Sequence, residues 1–154
     1  MSEQPPQQGG CRCGDVRFAV QGAPLLTFAC HCTGCRLMTA SAFSLSSLYP
    51  AEAFELVEGE TVPGGLRGET RHHCCPSCMS WLFTVPPGMD AYVNIRPALL
   101  DEAEAHRPFM DVWLSEGLGW AKSGAPRAYQ TVPGEDEFPE LMAAYAAWDG
   151  RVRT

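Results

Sequence analysis

Cys30-His31-Cys32-Thr33-Gly34-Cys35 places three thiols within six residues of this 154-residue chain. The other cysteines fall into two groups, Cys11 and Cys13 upstream and Cys74-Cys75 with Cys78 downstream. Thiolates at such short spacings are typical of zinc sites, because one tight turn can supply two ligands. We interpret the central run as an incomplete metal shell of three thiolates, with room for a fourth ligand.

The two flanking groups predict a second, closed metal shell. A C-x-C pair and a C-x-x-C pair together supply the four ligands that a structural zinc site requires. These ligands are Cys11, Cys13, Cys75 and Cys78. An alternative partition joins Cys30, Cys32 and Cys35 to one downstream cysteine and leaves the first pair unused. In the preferred partition Cys74 is surplus, and we interpret it as a small buried apolar residue.

Composition narrows the classes of partner. The net charge is −7 at pH 7 and the pI is about 5.0, which argues against a broad nucleic-acid or membrane surface. The start of the chain lacks the basic and apolar segments of a signal peptide, and no apolar run is long enough to span a bilayer. We therefore expect a cytoplasmic protein, whose cysteines stay reduced and serve as ligands or nucleophiles.

The pattern of the chain predicts one mainly β domain. Residues 1–9 are polar and are predicted to be a flexible tail, and 10–134 form the zinc domain. Short alternating segments such as 16–20 and 81–85 predict strands, whereas Pro63-Gly64-Gly65 predicts a loop. The apolar spacing from Phe138 to Trp148 predicts a helix, so 135–154 are assigned to a C-terminal helix and tail.

Four polar side chains near the cysteines have competing interpretations. His31 should point away from its cysteine neighbours if the segment is extended, so a ligand role is disfavoured. Asp111 interrupts an apolar strand, and a solvent-facing position is preferred over a pocket acid. His106 lies in a polar loop and gives no signal. Arg36 follows the last cysteine of the central run and either holds a substrate carboxylate or is an ordinary exposed arginine.

These motifs together resemble the glutathione-dependent formaldehyde-activating enzyme family, also called the GFA/CENP-V domain. The resemblance rests on residues 9–18, 30–36 and 75–78, which read GGCRCGDVRF, CHCTGCR and CPSC. It implies an Mss4-like zinc-binding β fold with few short helices and two zinc sites. The implied structural site is the closed four-cysteine shell, and the implied catalytic site is Cys30, Cys32 and Cys35. The implied activity is the joining of formaldehyde to glutathione, a carbon–sulfur lyase by class.

The chain also departs from the family pattern. The family usually has an aromatic residue where Cys74 stands and a glycine where Met79 stands. It usually has a glycine near Thr39-Ala40, and often a histidine where we align Asp111. All the zinc ligands are retained, so the departures concern the pocket and the substrate.

Three hypotheses of function follow. In the first, an enzyme holds a small-molecule thiol such as glutathione as a zinc thiolate, which adds to an aldehyde to give a hemithioacetal. In the second, a further residue closes the central shell and the domain is a non-catalytic zinc-stabilised binding module. In the third, the cysteines hold an iron–sulfur cluster. The sequence predicts no oligomeric state.

Overall fold

A computed structural model describes residues 4–65 and 69–150 of the chain. The strands are β1 (Gln7–Gly10), β2 (Arg17–Val20), β3 (Leu26–Cys30), β4 (Ser44–Pro50), β5 (Phe54–Glu58), β6 (Val62–Gly64), β7 (Arg71–Cys74), β8 (Trp81–Val85), β9 (Tyr92–Ile95), β10 (Met110–Val112) and β11 (Arg127–Ala128). The helices are α1 (Thr33–Thr39) and α2 (Phe138–Ala147), with short 3-10 turns between strands. The predicted mainly β fold with a C-terminal helix is confirmed.

The smaller sheet has the order β1-β2-β5 and is antiparallel. Its first strand corrects part of the flexible tail predicted over 1–9, because Gln7 to Gly10 pair with β2, and residues 1–3 lie outside the described ranges. A side chain at Gly9 would lie 2.7 Å from the Leu99 carbonyl oxygen, so glycine permits this close approach. Polar composition misled the prediction, since backbone pairing and not apolar burial holds this segment.

The larger sheet has the order β11-β10-β3-β4-β9-β8-β7-β6. β10 runs parallel to β3 and β11, and the other neighbouring pairs are antiparallel. At the far edge, β6 corrects part of the loop predicted over Pro63-Gly64-Gly65. Proline is tolerated there because an edge strand leaves one side of its backbone unpaired.

Two hydrophobic cores hold these layers together. The first joins Val16, Phe18 and Val20 to side chains of β4, β8 and β9, and it includes Cys11 and Cys75. The second packs α2 over β3, β4 and β10 through buried Leu141 and Tyr145. The predicted helix over 138–148 is thus confirmed to Ala147 and is part of the core.

Each helix in the described ranges is too short or too polar to cross a bilayer.

Candidate metal centres and adjoining pocket

The structure brings the four predicted structural ligands together. The Sγ atoms of Cys11, Cys13, Cys75 and Cys78, here called the four-cysteine cluster, lie within 4.8 Å of one another. Each pair is built on a tight turn, in which a backbone N–H points at the first sulfur. The Cys11 Sγ accepts from the Val16 N–H at 3.3 Å, and the Cys75 Sγ accepts from the Cys78 N–H at 3.5 Å. Such donors stabilise thiolates.

The dimensions of this cluster fit zinc. A tetrahedral shell with Zn–S bonds of about 2.3 Å separates its sulfurs by about 3.8 Å. The Cys11–Cys13 and Cys13–Cys75 sulfur separations are 3.5 and 3.7 Å. Hydrogen bonds from the side chain and backbone of Ser80, whose hydroxyl lies 3.2 Å from the Cys78 sulfur, lower the pKa of Cys78 to about 5 and favour its thiolate form.

The central run forms a second, smaller cluster. The sulfurs of Cys30, Cys32 and Cys35, the three-cysteine cluster, also lie within 4.8 Å of one another. β3 ends at the first of them, and the second caps α1 by accepting the Cys35 N–H at 3.3 Å. In residues 4–65 and 69–150, no fourth histidine, cysteine or carboxylate completes the set. The three sulfurs therefore suit a zinc ion that keeps one position for another ligand.

The thiols of this cluster change one another's pKa through direct contact. The pKa of Cys35 is lowered to about 5, mainly by the Cys30 thiol and further by the Ser44 hydroxyl, Cys32 and the Arg96 charge. The same contact with Cys35, together with burial, raises the pKa of Cys30. One thiolate beside a protonated neighbour is the expected metal-free state at neutral pH, and metal binding must release the remaining protons.

His31 and Asp111 form a buried pair behind this cluster. The His31 ring is fully buried and joins neither cysteine cluster, and its Nε2 lies 2.7 Å from a carboxylate oxygen of Asp111. The preferred solvent-facing position of Asp111 is wrong, because β10 pairs in parallel with β3 and leaves Asp111 only 7% exposed. This pair fixes the chain between Cys30 and Cys32.

The remaining polar predictions have mixed outcomes. Cys74 is buried as predicted, at 4% exposure, and joins neither cluster. His106, which gave no sequence signal, is also buried, with its Nε2 2.8 Å from the Gln7 side-chain oxygen. Arg36 is half-buried on α1 and its guanidinium reaches the Thr33 hydroxyl at 3.4 Å.

A pocket of about 490 Å³ is lined by residues that neighbour both clusters. Its walls come from the end of α1, the start of β4, the turn after Cys78 and the segment after β9. The lining residues are Met38, Thr39, Ser41, Phe43, Ser44, Leu45, Met79, Ser80, Trp81, Arg96, Ala98 and Leu99. Ser44 neighbours Cys35 on one side, and Ser80 contacts Cys78 on the other. Arg96 was not predicted as a site residue, because only its burial in the folded structure marks it as a candidate.

The fold and the clusters define a class of protein: a mainly β domain with two cysteine clusters suited to metal ions. The sequence profile described as "Glutathione-dependent formaldehyde-activating enzyme" matches residues 6–116, and the chain belongs to this family. The fold is similar to the crystal structure of a Rhodobacter sphaeroides protein, with a TM-score of 0.52 and 18% sequence identity. That match covers 62% of this chain and 88% of the other.

Proposed function

We propose that the protein is a zinc-dependent enzyme of the carbon–sulfur lyase type. Its substrates would be glutathione or a related small thiol and formaldehyde or a related small aldehyde. In the synthetic direction, the thiolate sulfur bonds to the carbonyl carbon as the carbonyl π bond breaks. The resulting alkoxide takes a proton from solvent to give the S-hydroxymethyl adduct, and the reverse reaction cleaves the C–S bond.

The observation that carries the proposal is an incomplete ligand set beside a pocket. The family membership supplies the reaction class, and the three-cysteine cluster supplies a place for a fourth, exogenous ligand. A non-catalytic module would instead need a closed shell at both clusters. The pocket volume of about 490 Å³ falls within the usual range of small-molecule sites, about 300–1,000 Å³. Both features favour the enzyme over the binding module.

Each cluster would have its own role. The four-cysteine cluster would hold a structural zinc, and Cys30, Cys32 and Cys35 would hold the zinc at which substrate binds. When bound there, zinc supplies a position that keeps the substrate sulfur deprotonated at neutral pH. Three thiolates already neutralise its charge, so this site suits thiol binding better than water activation.

The surrounding residues hold the three sulfurs in place. The Cys32 sulfur is fixed by the Cys35 N–H, and Glu116 accepts the Thr33 N–H at 2.8 Å, which satisfies the first turn of α1. The buried contact between His31 and Asp111 links the end of β3 to β10. A preformed sulfur triangle requires little rearrangement when metal and substrate bind.

Metal content and adduct formation test the proposal together. Zinc-loaded protein is expected to contain two zinc ions per chain by mass spectrometry and to accelerate formation of the adduct from ¹³C-formaldehyde and glutathione, followed by NMR. Cys32→Ser should lose one zinc and the acceleration while it stays folded, because serine also caps helices well. Cys74→Ala is the matched control, since this cysteine joins neither cluster.

Three results would contradict the proposed function or the roles of the clusters. Zinc-loaded protein that neither binds glutathione nor exceeds the spontaneous rate of adduct formation would refute the enzyme and favour the binding module. Loss of both metals and unfolding in Cys32→Ser would refute the division into one structural and one substrate-binding cluster. A coloured, iron-containing protein would favour the iron–sulfur hypothesis.

A further inference from the structure

The pocket beside the three-cysteine cluster carries a single formal charge. Among its described lining residues, Arg96 is the one ionisable group, and no carboxylate is present. The rest of the wall is apolar or uncharged, including Met38, Phe43 and Trp81. A cavity of this composition is complementary to an anion and unfavourable for a cation.

Arg96 is held in one position by its surroundings. Its Nη1 donates to the Leu45 carbonyl oxygen at 3.2 Å and to the Ser46 hydroxyl. Its Nη2 donates to the Thr84 hydroxyl at 2.8 Å, and its Cζ lies 3.5 Å from the centre of the Trp81 ring. Stacking on an aromatic face combined with several hydrogen bonds makes a guanidinium rigid and ready to bind a ligand.

Part of the guanidinium is left without a partner. Arg96 is 9% exposed, and its Nε is a buried donor with no acceptor in the described parts of the chain. Its three hydrogen bonds to described residues all go to neutral oxygens. Burial lowers the pKa of Arg96 to about 10, and the negative charge of the nearby Cys35 opposes part of this effect, so Arg96 remains a cation at neutral pH. The Cys35 thiolate is a nearby negative charge, but the hydrogen bonds that the described residues give Arg96 leave the guanidinium without a charged acceptor, and a ligand carboxylate would supply one.

We propose that this pocket is the subsite for a carboxylate carried by the thiol substrate, and that Arg96 is the residue that binds it. The proposal rests on the proposed function, because the substrate sulfur is taken to lie at the three-cysteine cluster. Ser44 connects the two places, since it lines the pocket and neighbours Cys35. Arg36, which the sequence offered for this role, is absent from the pocket lining.

Binding measurements on the zinc-loaded protein test the subsite. The probes are glutathione and its bis-amide, in which both carboxylates become neutral amides of similar size, with dissociation constants from calorimetry. Wild-type protein is expected to bind glutathione at least about tenfold more tightly, in line with a charge-assisted hydrogen bond. Arg96→Gln should remove this preference, whereas Arg127→Gln, a surface change on the edge strand β11 and outside the pocket lining, should keep it.

Several results would overturn the subsite. These are equal binding of the acid and the amide by wild type, an unchanged preference in Arg96→Gln, or loss of the preference in Arg36→Gln alone. If Arg96→Gln does not fold, the comparison of acid and amide on wild type and on Arg96→Lys decides. S-methylglutathione separates the two proposals, because it lacks the thiol. Its Arg96-dependent binding, combined with no adduct formation from glutathione, would refute the proposed reaction and leave the subsite standing.

Discussion

His106 is expected to make the stability of this protein fall steeply as the pH decreases below neutrality. The side chain is 3% exposed, and its two ring nitrogens face the Ser47 hydroxyl and the Gln7 side-chain oxygen. Both partners are neutral. Burial lowers the pKa of His106 from 6.5 to about 4, because the charged imidazolium would lose its hydration without gaining a carboxylate.

The sign and size of the effect follow from proton linkage. Between pH 6.5 and 4 the unfolded chain binds a proton at this histidine and the folded protein does not, so acid favours unfolding. A shift from 6.5 to about 4 corresponds to a total loss of about 3 kcal/mol, complete only below the folded pKa. From pH 7.5 to 5.5, the free energy of unfolding should fall by about 1.3 kcal/mol through His106 alone.

Urea unfolding of wild type and His106→Gln at these two pH values measures this contribution. Other groups, including the metal-binding cysteines, also respond to pH, but they respond in both proteins. The loss of stability on acidification should therefore be smaller in His106→Gln by about 1.3 kcal/mol. Equal losses in the two proteins would show that His106 ionises in the folded state as it does in the unfolded chain, and would refute the argument.

Three further predictions concern the cluster supports. Asp111→Ala deprives the buried His31 ring of its acceptor and should lower the free energy of unfolding by about 1–3 kcal/mol, more than Asp111→Asn, which keeps an oxygen there; equal losses in urea unfolding would contradict this role. Met79 has a φ of 60°, so Met79→Gly should raise the unfolding free energy by about 0.5–1 kcal/mol relative to Met79→Ala, and no difference in thermal unfolding would argue against backbone strain. A chelator titrated into zinc-loaded protein should remove the metal of the three-cysteine cluster first, with unchanged circular dichroism, and a single step with unfolding would be the contrary result.

The cysteine clusters could be predicted because their geometry is local. A C-x-x-C or C-x-C spacing determines a tight turn, and a half-site can complete a zinc shell only with another half-site. Within each of the two predicted sets, the structure places the sulfur atoms within 4.8 Å of one another. Strands such as β2 and β8 were also predictable, since bulky apolar residues recur at every second position, as at Phe18 and Val20 in β2 and at Trp81, Phe83 and Val85 in β8.

The buried polar residues could not be predicted because burial depends on long-range packing. Asp111 is flanked by two apolar residues, a pattern that an edge strand and a central strand share. Only the parallel pairing of β10 with β3 brings it to His31. Arg96 is equally ordinary in sequence, and its significance comes from the Trp81 ring beneath it and the pocket beside it.

Two of the departures from the family pattern concern backbone conformation, which the sequence alone did not show. Ala40 and Met79 stand at or near positions where the family usually has glycine, and both have positive φ, 49° and 60°. The backbone at these positions has the left-handed conformation that glycine adopts without steric cost. A family glycine therefore indicated backbone conformation here, and its replacement need not alter the metal ligands.

The four-cysteine cluster has a part in shaping the pocket as well as in stabilising the fold. Its downstream turn leads directly into Met79, Ser80 and Trp81, which form one wall of the pocket. Ser80 also accepts the Arg12 N–H at 3.1 Å, which ties this wall to the upstream cysteine turn. A metal that joins the two turns would hold Trp81, and with it the stacked guanidinium of Arg96, in place. The four-cysteine cluster would thus position the pocket wall, while the three-cysteine cluster would position the substrate sulfur.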